Sequence, residues 1–381
     1  MATALVAGAV ADRRMPGAVL SVRWHDRVIC ERAFGRRRVD QDALLEFDDL
    51  FSVASLTKPI VVAGVLQLCE AGLLELDDEV GKYLPEFADP RVLTSYDMAT
   101  GAIEARAART PVTIRHLLAH TSGIHHGFVT DDSVMAMLYD RAGVVHDARL
   151  PLAENVRRLG PLPLTHEPGA AWTYGLSSEV AGRLIEVASG EPLDRYLTRF
   201  VLEPLGMRST FFFVPSEARH RIVGRHRRAD GRASAAPAEP CEQEAAAYAS
   251  GGGGLFTTVQ DYARFVQALL DGGRPILSEK SVRDMTSNQI RSLTALGLKY
   301  GLGLGLATPD APGRSPLPVG GFGWYGIFST WFWALPDRRA IVLLFGNVLD
   351  ADMNLPLFSS VVAAVERDLA AADPLIVGGT A

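Results

Sequence analysis

The sequence predicts an α+β fold in which a sheet domain is interrupted by a mainly helical subdomain. Strand patterns occur near both ends of the chain, and the long section between them lacks strand-type alternation. With 381 residues, 48% of them hydrophobic and 22% charged, the chain can bury a substantial core. We therefore expect the first and last segments to share one sheet, with a cleft beside the insertion.

The N-terminal segment predicts a helix followed by a hairpin. Residues 2–11 are apolar, no basic segment precedes them, and charged residues follow at once, which indicates an amphipathic helix rather than a signal peptide. Residues 18–24 and 27–34 are rich in strand-forming side chains and are separated by His25 and Asp26. This pattern is typical of two strands joined by a turn.

A helix is expected from Ser55 to Cys69. Apolar residues recur there at helical spacing, and Gly72 supplies a stop. Ser55 would then lie in the first turn of this helix, directly after the sheet region. Amide groups at a helix N-terminus can stabilise a negatively charged oxygen.

The remainder of the chain divides into three sections. Residues 76–215 predict helices punctuated by prolines, 227–244 an irregular loop, and 251–254 a tight glycine turn before a helix at 259–270. Strand patterns return at 326–334 and 340–347, and a helix is expected at 355–369. We assign 1–75 and 250–381 to the sheet domain, and 76–249 to the mainly helical subdomain with loops over the cleft.

Composition excludes several classes of partner. The formal net charge is −6 and no long Lys/Arg run occurs, so the chain lacks the positive surface that nucleic acid requires. No apolar stretch is long enough to span a membrane. The three cysteines form no CxxC pattern, which fits a reducing compartment and predicts a cytoplasmic protein.

Ser55-Leu56-Thr57-Lys58 is the strongest chemical signal. A serine and a lysine three positions apart on a helix lie on one face, within mutual reach. A lysine that is neutral part of the time can accept the serine proton, and arginine could not replace it. Lys and Arg together number 38, yet only four are lysines, and one of these four has the required spacing. Ser55 is therefore the candidate nucleophile and Lys58 its base.

Four further segments accompany this motif, and together they span nearly the whole chain. They are Pro16-Gly17-Ala18-Val19, His116-Leu117-Leu118-Ala119-His120-Thr121-Ser122-Gly123, Glu203-Pro204-Leu205-Gly206-Met207, and Gly252-Gly253-Gly254-Leu255-Phe256 with Asp261-Tyr262. In this order they resemble the serine β-lactamase, penicillin-binding protein and family VIII carboxylesterase group. The resemblance implies a β-lactamase/transpeptidase-like fold, with an antiparallel sheet flanked by helices.

The second motif of this group, Tyr-x-Asn, corresponds to Tyr174-Gly175-Leu176. By resemblance, Tyr174 exchanges protons with Ser55 and the leaving group. Leu176 stands where the group has Asn, whose amide holds the acylamino side chain of an antibiotic. This departure disfavours β-lactamase activity and places Leu176 among the expected substrate-binding residues.

The third motif, Lys-Thr-Gly, corresponds to Trp324-Tyr325-Gly326. Family VIII esterases have a similar Trp-x-Gly, so the resemblance implies neutral ester substrates bound beside these three residues. It also implies an oxyanion hole formed by the backbone N–H groups of Ser55 and Ile327. Trp331 and Trp333 share one strand face and are expected to be core residues.

The histidines and glycines do not indicate an α/β-hydrolase, a phosphate-binding loop or a metal site. No Gly-x-Ser-x-Gly elbow occurs, and the four glycines lack a following Gly-Lys-Ser/Thr. We expect His125, His126, His220 and His226 to be surface or turn residues, and His116 and His120 to belong to the structural turn signature. No metal and no cofactor are predicted.

These observations favour a carboxylesterase that acts on small-molecule esters through an acyl-Ser55 intermediate. An acyltransferase of secondary metabolism would use the same intermediate, because the motifs do not distinguish hydrolysis from transfer. Three further alternatives are a β-lactamase, a D-amino-acid peptidase or amidase, and a non-catalytic scaffold protein. The scaffold would be expected to have lost Ser55, Lys58 or Tyr174. The oligomeric state is left open.

Overall fold

A computed structural model describes residues 1–97, 100–126, 133–144, 150–229, 232–233, 248–311, 316–349 and 351–372. Ten α-helices and fourteen strands lie in this part of the chain. In chain order they are α1 Ala2–Ala11, β1 Gly17–Trp24, β2 Arg27–Gly35, β3 Phe51–Ser52, α2 Thr57–Glu70, β4 Arg91–Tyr96, β5 Ile103–Ala107, α3 Ile114–Leu118, α4 Ser133–Ala142, α5 Leu152–Leu159, α6 Ser177–Ser189, α7 Leu193–Leu197, β6 His226–Ala229, β7 Arg232–Ala233, β8 Phe256–Thr257, α8 Val259–Leu270, α9 Glu279–Met285, β9 Lys299–Tyr300, β10 Gly305–Leu306, β11 Phe322–Gly326, β12 Thr330–Leu335, β13 Ala340–Gly346, β14 Val348–Leu349 and α10 Ala351–Ala372.

A seven-stranded antiparallel sheet joins the two ends of the chain. Its strand order is β2-β1-β13-β12-β11-β10-β9, so the N-terminal hairpin pairs directly with the C-terminal strands. The register places Val19 opposite Phe345 and Val22 opposite Val342. The prediction that the first and last segments share one sheet is confirmed.

The two faces of the sheet pack against different sets of helices. Because neighbouring residues of a strand point to opposite faces, alternate side chains belong to different cores. On β12, Trp331 and Trp333 pack into a core with Val6 of α1 and Phe358 of α10. The intervening Phe332 belongs to the larger core, which includes α2 and α8. Trp331 and Trp333 are 3% and 2% exposed, which confirms them as core residues.

Several predicted elements agree closely with the structure. The helix at 2–11, the hairpin with its turn at His25 and Asp26, and the helix at 259–270 are all present. The helix expected from Ser55 begins as a short 3-10 turn, Ala54–Leu56, which continues into α2. The glycine segment 251–254 includes the expected turn.

The middle section contains strands that the sequence pattern did not predict. β4 and β5 form an antiparallel hairpin in which only Val92 is buried. Because nearly all of this hairpin faces solvent, its side chains show no apolar alternation. The irregular loop expected at 227–244 is also wrong for residues 227–229 and 232–233, which lie in β6 and β7; residues 230–231 and 234–244 lie outside the described part of the chain.

The strand expected at 326–334 is two strands separated by a turn at residues 327–329. β11 ends at Gly326 and β12 begins at Thr330, and the continuous apolar composition conceals the reversal. The last helix begins at Ala351, four residues before the expected start, and includes Pro356. The division into two subdomains stays a prediction.

No helix in the described ranges combines the length and the apolar character that a membrane span requires. The predicted cytoplasmic location stays a prediction.

The larger core should respond strongly to the loss of Phe332, which is fully buried against Tyr262 with ring centroids 5.5 Å apart. We expect Phe332→Ala to lower the free energy of unfolding by about 3–5 kcal/mol, because a cavity replaces the ring. Urea denaturation measures this loss. Val28→Ala, at a residue 49% exposed, is the control and should change stability by less than about 1 kcal/mol. Equal effects would contradict the assigned core.

Candidate active site

Ser55 and Lys58 are brought together at the start of α2. The Nζ of Lys58 lies 3.0 Å from the Oγ of Ser55 and donates a second hydrogen bond of 2.6 Å to the carbonyl of Gly252. Ser55 is half-buried, whereas Lys58 is only 2% exposed. A buried amine against a reachable hydroxyl is the arrangement that nucleophile activation requires.

Residues that follow the glycine segment 251–254 hydrogen-bond the turn that contains Ser55. Val53 N–H donates to the carbonyl of Leu255, and Leu255 N–H donates to Thr57 Oγ1, both at 3.1 Å. The hydroxyl of Tyr262 donates to the carbonyl of Leu56 at 2.9 Å. Ala54, directly before Ser55, has a φ of 46°, a left-handed conformation that is strained for a non-glycine residue. These contacts hold Ala54, directly before the serine, in a backbone conformation that the free chain disfavours.

Tyr174 lies beside this pair. Its ring centroid is 4.7 Å from Lys58 Nζ, and the indole N–H of Trp324 donates to its hydroxyl at 3.3 Å. Trp324 is almost fully buried and lies on β11. The structure thus brings Ser55, Lys58, Tyr174 and Trp324 into one cluster from three separate parts of the chain.

The turn after β11 lies against the chain that leads into Ser55. The hydroxyl of Thr330 donates to the carbonyl of Val53 at 3.2 Å. A Cβ on Gly326 would come within 2.2 Å of that same carbonyl, so only glycine permits this approach. Ile327 follows immediately, which places it beside the turn that contains Ser55.

The other two expected substrate-binding residues differ in exposure. Leu176 is 6% exposed and packs into the larger core. Tyr325 is half-buried; it pairs with Trp331 across the sheet and stacks on it at 4.5 Å, and its ring centroid lies 5.2 Å from that of Trp324. The roles of both residues stay predictions.

The expected surface or turn location is wrong for three of the four histidines to which it was assigned. His125, His126 and His226 are all at least nine-tenths buried. His126 stacks on Tyr174 with ring centroids 5.9 Å apart, and His226 accepts a hydrogen bond from Val39 N–H. Buried histidines need such partners: a ring stack for His126 and a backbone hydrogen bond for His226. Neither partner can be recognised from a local sequence pattern.

His120 and His116 lie in the region of the predicted turn signature. His116 completes a reciprocal cap of α3 with Thr113. His120 packs against Tyr174 at 4.6 Å and Tyr300 at 5.7 Å. Burial lowers the pKa of His120 well below its usual range, and the nearby charge of Lys58 lowers it further. His120 is therefore neutral in the folded protein.

Glu179 was not anticipated as a site residue. It lies in the first turn of α6, is 5% exposed, and accepts hydrogen bonds from Ser250, Gly251 and Gly252. Burial raises the pKa of this carboxyl group, although these hydrogen bonds and the charge of Lys58 act in the opposite direction. The available signal was an acidic residue among buried positions, five residues after Tyr174.

Among the described residues, no three His, Cys, Asp or Glu side chains form a group that could hold a metal ion. Cys30 and Cys69 are free thiols. The chemistry of the cluster is that of a serine hydroxyl, an amine, a phenol and backbone amides.

Comparisons with known proteins point in the same direction. A family model described as Beta-lactamase matches residues 2–356. Esterase EstB of Burkholderia gladioli is 32% identical over 375 residues, which cover 92% of this chain and 90% of the esterase. Monacolin J acid methylbutanoyltransferase of Aspergillus terreus is 32% identical over 291 residues, which cover 72% of this chain and 67% of the transferase.

A solved structure supports the fold. Simvastatin synthase from Aspergillus terreus has a TM-score of 0.80 with this chain at 26% identity, covering 96% of this chain and 97% of its own. The family match and this superposition confirm the predicted β-lactamase/transpeptidase-like fold.

The neutral His120 makes the folded state sensitive to acid. Because its pKa is lowered in the folded state, the unfolded chain binds a proton that the folded chain does not, so stability is lost as pH falls below about 6.5. At full effect this contributes about 1.4 kcal/mol per pH unit. We expect His120→Asn, which tolerates the φ of 55° at this position, to reduce the slope of unfolding free energy against pH between 6.5 and 5. An unchanged slope would contradict a neutral, buried His120.

Proposed function

The chain belongs to the beta-lactamase family, and from this membership we propose that it is a carboxylesterase that cleaves esters of small or medium acyl groups through an acyl-Ser55 intermediate. It is an enzyme of this superfamily. The observation that carries the proposal is the 3.0 Å contact between Lys58 Nζ and Ser55 Oγ in a buried cluster. The 32% identity with esterase EstB over 92% of the chain supports the same activity.

The proposed first step is attack by Ser55 on the ester carbonyl. Lys58, in its neutral form, accepts the hydroxyl proton while the Oγ–C bond forms. The backbone N–H groups of Ser55 and Ile327 would stabilise the negative charge that develops on the carbonyl oxygen. The position of Ile327, directly after the contact between Gly326 and Val53, supports this pairing.

Collapse of the tetrahedral intermediate requires a proton for the leaving alcohol. Tyr174, whose ring lies 4.7 Å from Lys58 Nζ, is the proposed donor, and it would recover the proton through Lys58. The alcohol then leaves and acyl-Ser55 remains. In the second half of the reaction, water attacks the acyl carbonyl while neutral Lys58, directly or through Tyr174, takes its proton. The bond between the acyl carbon and Oγ then breaks, and that proton passes to Ser55 Oγ as the acid departs.

The residues around the cluster favour neutral substrates. Trp324 occupies the place where a cationic Lys would bind a carboxylate in the resembling group, and Leu176 replaces the Asn. Trp324 also donates its N–H to Tyr174, so this indole both lines the cluster and orients the phenol. An uncharged ester with an apolar acyl group fits these surroundings better than an antibiotic acid.

Acyl transfer is the second candidate. The chain is 32% identical to monacolin J acid methylbutanoyltransferase, and a transferase would use the same acyl-Ser55. The two reactions differ only in the molecule that accepts the acyl group from Ser55, which is water in hydrolysis and an alcohol or amine in transfer.

Intact-protein mass spectrometry after incubation with an activated phosphonate or a short p-nitrophenyl ester tests the nucleophile. We expect one adduct on the Ser55 peptide of the wild type, none on Ser55→Ala, and turnover lowered by about 10⁴-fold or more in Ser55→Ala and Lys58→Ala. Lys280→Ala, at a side chain 77% exposed, is the matched control and should behave as wild type. If neither the wild type nor any variant forms an adduct or turns over the ester, the esterase proposal is wrong.

The acceptor is tested by product partition. We expect the wild type to release free acid from a p-nitrophenyl ester in buffer alone, and to form a growing fraction of transesterified product as a small alcohol is added. Chromatography of both products measures the ratio. An acyl-enzyme that accumulates in buffer and discharges only when an acceptor is supplied would instead assign the chain to the acyltransferases.

A further inference from the structure

Glu179 buries a carboxylate group that the proposed mechanism does not use. Glu179 is 5% exposed. Burial of a carboxylate is unfavourable unless hydrogen bonds from the protein replace those that it would make with water. Ser250 Oγ donates to Oε1 at 2.5 Å, Gly252 N–H donates to the same oxygen at 3.0 Å, and Gly251 N–H donates to Oε2 at 3.0 Å. All three donors come from one short segment, residues 250–252.

The same segment contacts the proposed base. The N–H of Gly252 points to Glu179, and the carbonyl of Gly252 accepts the 2.6 Å hydrogen bond from Lys58 Nζ. A Cβ added to Gly252 would lie 2.8 Å from Glu179 Oε1 and 3.8 Å from Lys58 Nζ. One glycine therefore separates the carboxylate from the amine.

Lys58 needs such an anchor because its amine lies at the end of a flexible side chain and can turn its N–H groups toward more than one acceptor. Within the described part of the chain, its hydrogen-bond partners are Ser55 Oγ and the Gly252 carbonyl. The hydrogen bond to Gly252 restricts rotation of the amine and so keeps Nζ 3.0 Å from Ser55 Oγ. Loss of that acceptor would leave the amine free to turn away from the hydroxyl.

We propose that Glu179 is a positioning residue for the reaction: it holds residues 250–252 so that the Gly252 carbonyl directs the Lys58 amine at Ser55. The inference rests on the proposed function, since it assigns Glu179 a role in forming acyl-Ser55. Glu179 acts through Lys58 and does not touch the substrate.

The first test compares the rate of Ser55 labelling by an activated phosphonate in the wild type, Glu179→Gln and Glu179→Asp. Gln preserves the shape but places an N–H₂ against one of the donors of residues 250–252, so the segment must shift. A displacement of about 1 Å near a reacting group can cost about 10²-fold in rate. We expect about that loss in the labelling rate and in kcat for a p-nitrophenyl ester, with KM within about threefold, and partial recovery in Glu179→Asp, which keeps the charge.

Asp261 provides a matched control. It is 3% exposed, accepts hydrogen bonds from Ser209 N–H and Thr210 Oγ1 and pairs with Arg264, and none of these residues hydrogen-bonds Lys58. Asp261→Asn therefore removes another buried charge that accepts backbone and hydroxyl hydrogen bonds, without touching the amine. An equal loss of labelling in Asp261→Asn and Glu179→Gln would overturn the proposal.

A double-mutant cycle with Lys58→Ala separates positioning from general structural damage. If Glu179 acts through Lys58, Glu179→Gln lowers labelling by about 10²-fold in the wild type but by less than about threefold on the Lys58→Ala background. Multiplicative losses would overturn the proposal. Should Glu179→Gln fail to fold, Ser250→Ala removes a single donor and is expected to lower labelling measurably only when Lys58 is present. No labelling of the wild type would instead overturn the proposed function itself.

Discussion

The buried amine of Lys58 is the constraint on which the rest of the site depends. At 2% exposure, Lys58 has little contact with solvent, so the fold must supply hydrogen-bond acceptors for its amine. Ser55 and the Gly252 carbonyl supply them, and the second comes from a segment 194 residues away in the chain. Because that carbonyl must be held in place, the glycine segment, α6 and α2 have to pack in one relative arrangement.

The same arrangement accounts for the strain before the nucleophile. Ala54 adopts a left-handed conformation, which the backbone retains only where its surroundings determine it. Val53, Leu56 and Thr57 each hydrogen-bond residues between 255 and 262, so both sides of Ala54 are fixed. The sheet, which unites the chain ends, brings the β11–β12 turn to the carbonyl of Val53 and completes the enclosure.

Local features of the chain could be predicted from the sequence, whereas long-range ones could not. The spacing of Ser55 and Lys58 is a property of one helix, and the β1–β2 hairpin is a property of adjacent strands, so both were predicted. The partnership of Glu179 with residues 250–252, the burial of His126 on Tyr174, and the exposed β4–β5 hairpin depend on contacts or solvent exposure that no local pattern encodes. The resemblance located Tyr174 and Trp324, but their hydrogen bond is visible only in three dimensions.

The chain retains Ser55, Lys58 and Tyr174 but departs from the family motifs at two positions, and these departures change the polarity expected around Ser55. Leu176 and Trp324 replace the polar or cationic residues of the resembling group, so the surroundings of Ser55 are more apolar. Under the proposed function, apolar surroundings bind a charged antibiotic less well, and a low local dielectric strengthens each remaining hydrogen bond. The neutral His120 and the buried Glu179 fit this environment, because each adds hydrogen-bonding or packing groups around Lys58 without adding a second cation. Under the proposed function, the departures from the family motifs change which acyl donor binds while preserving the means of attacking it.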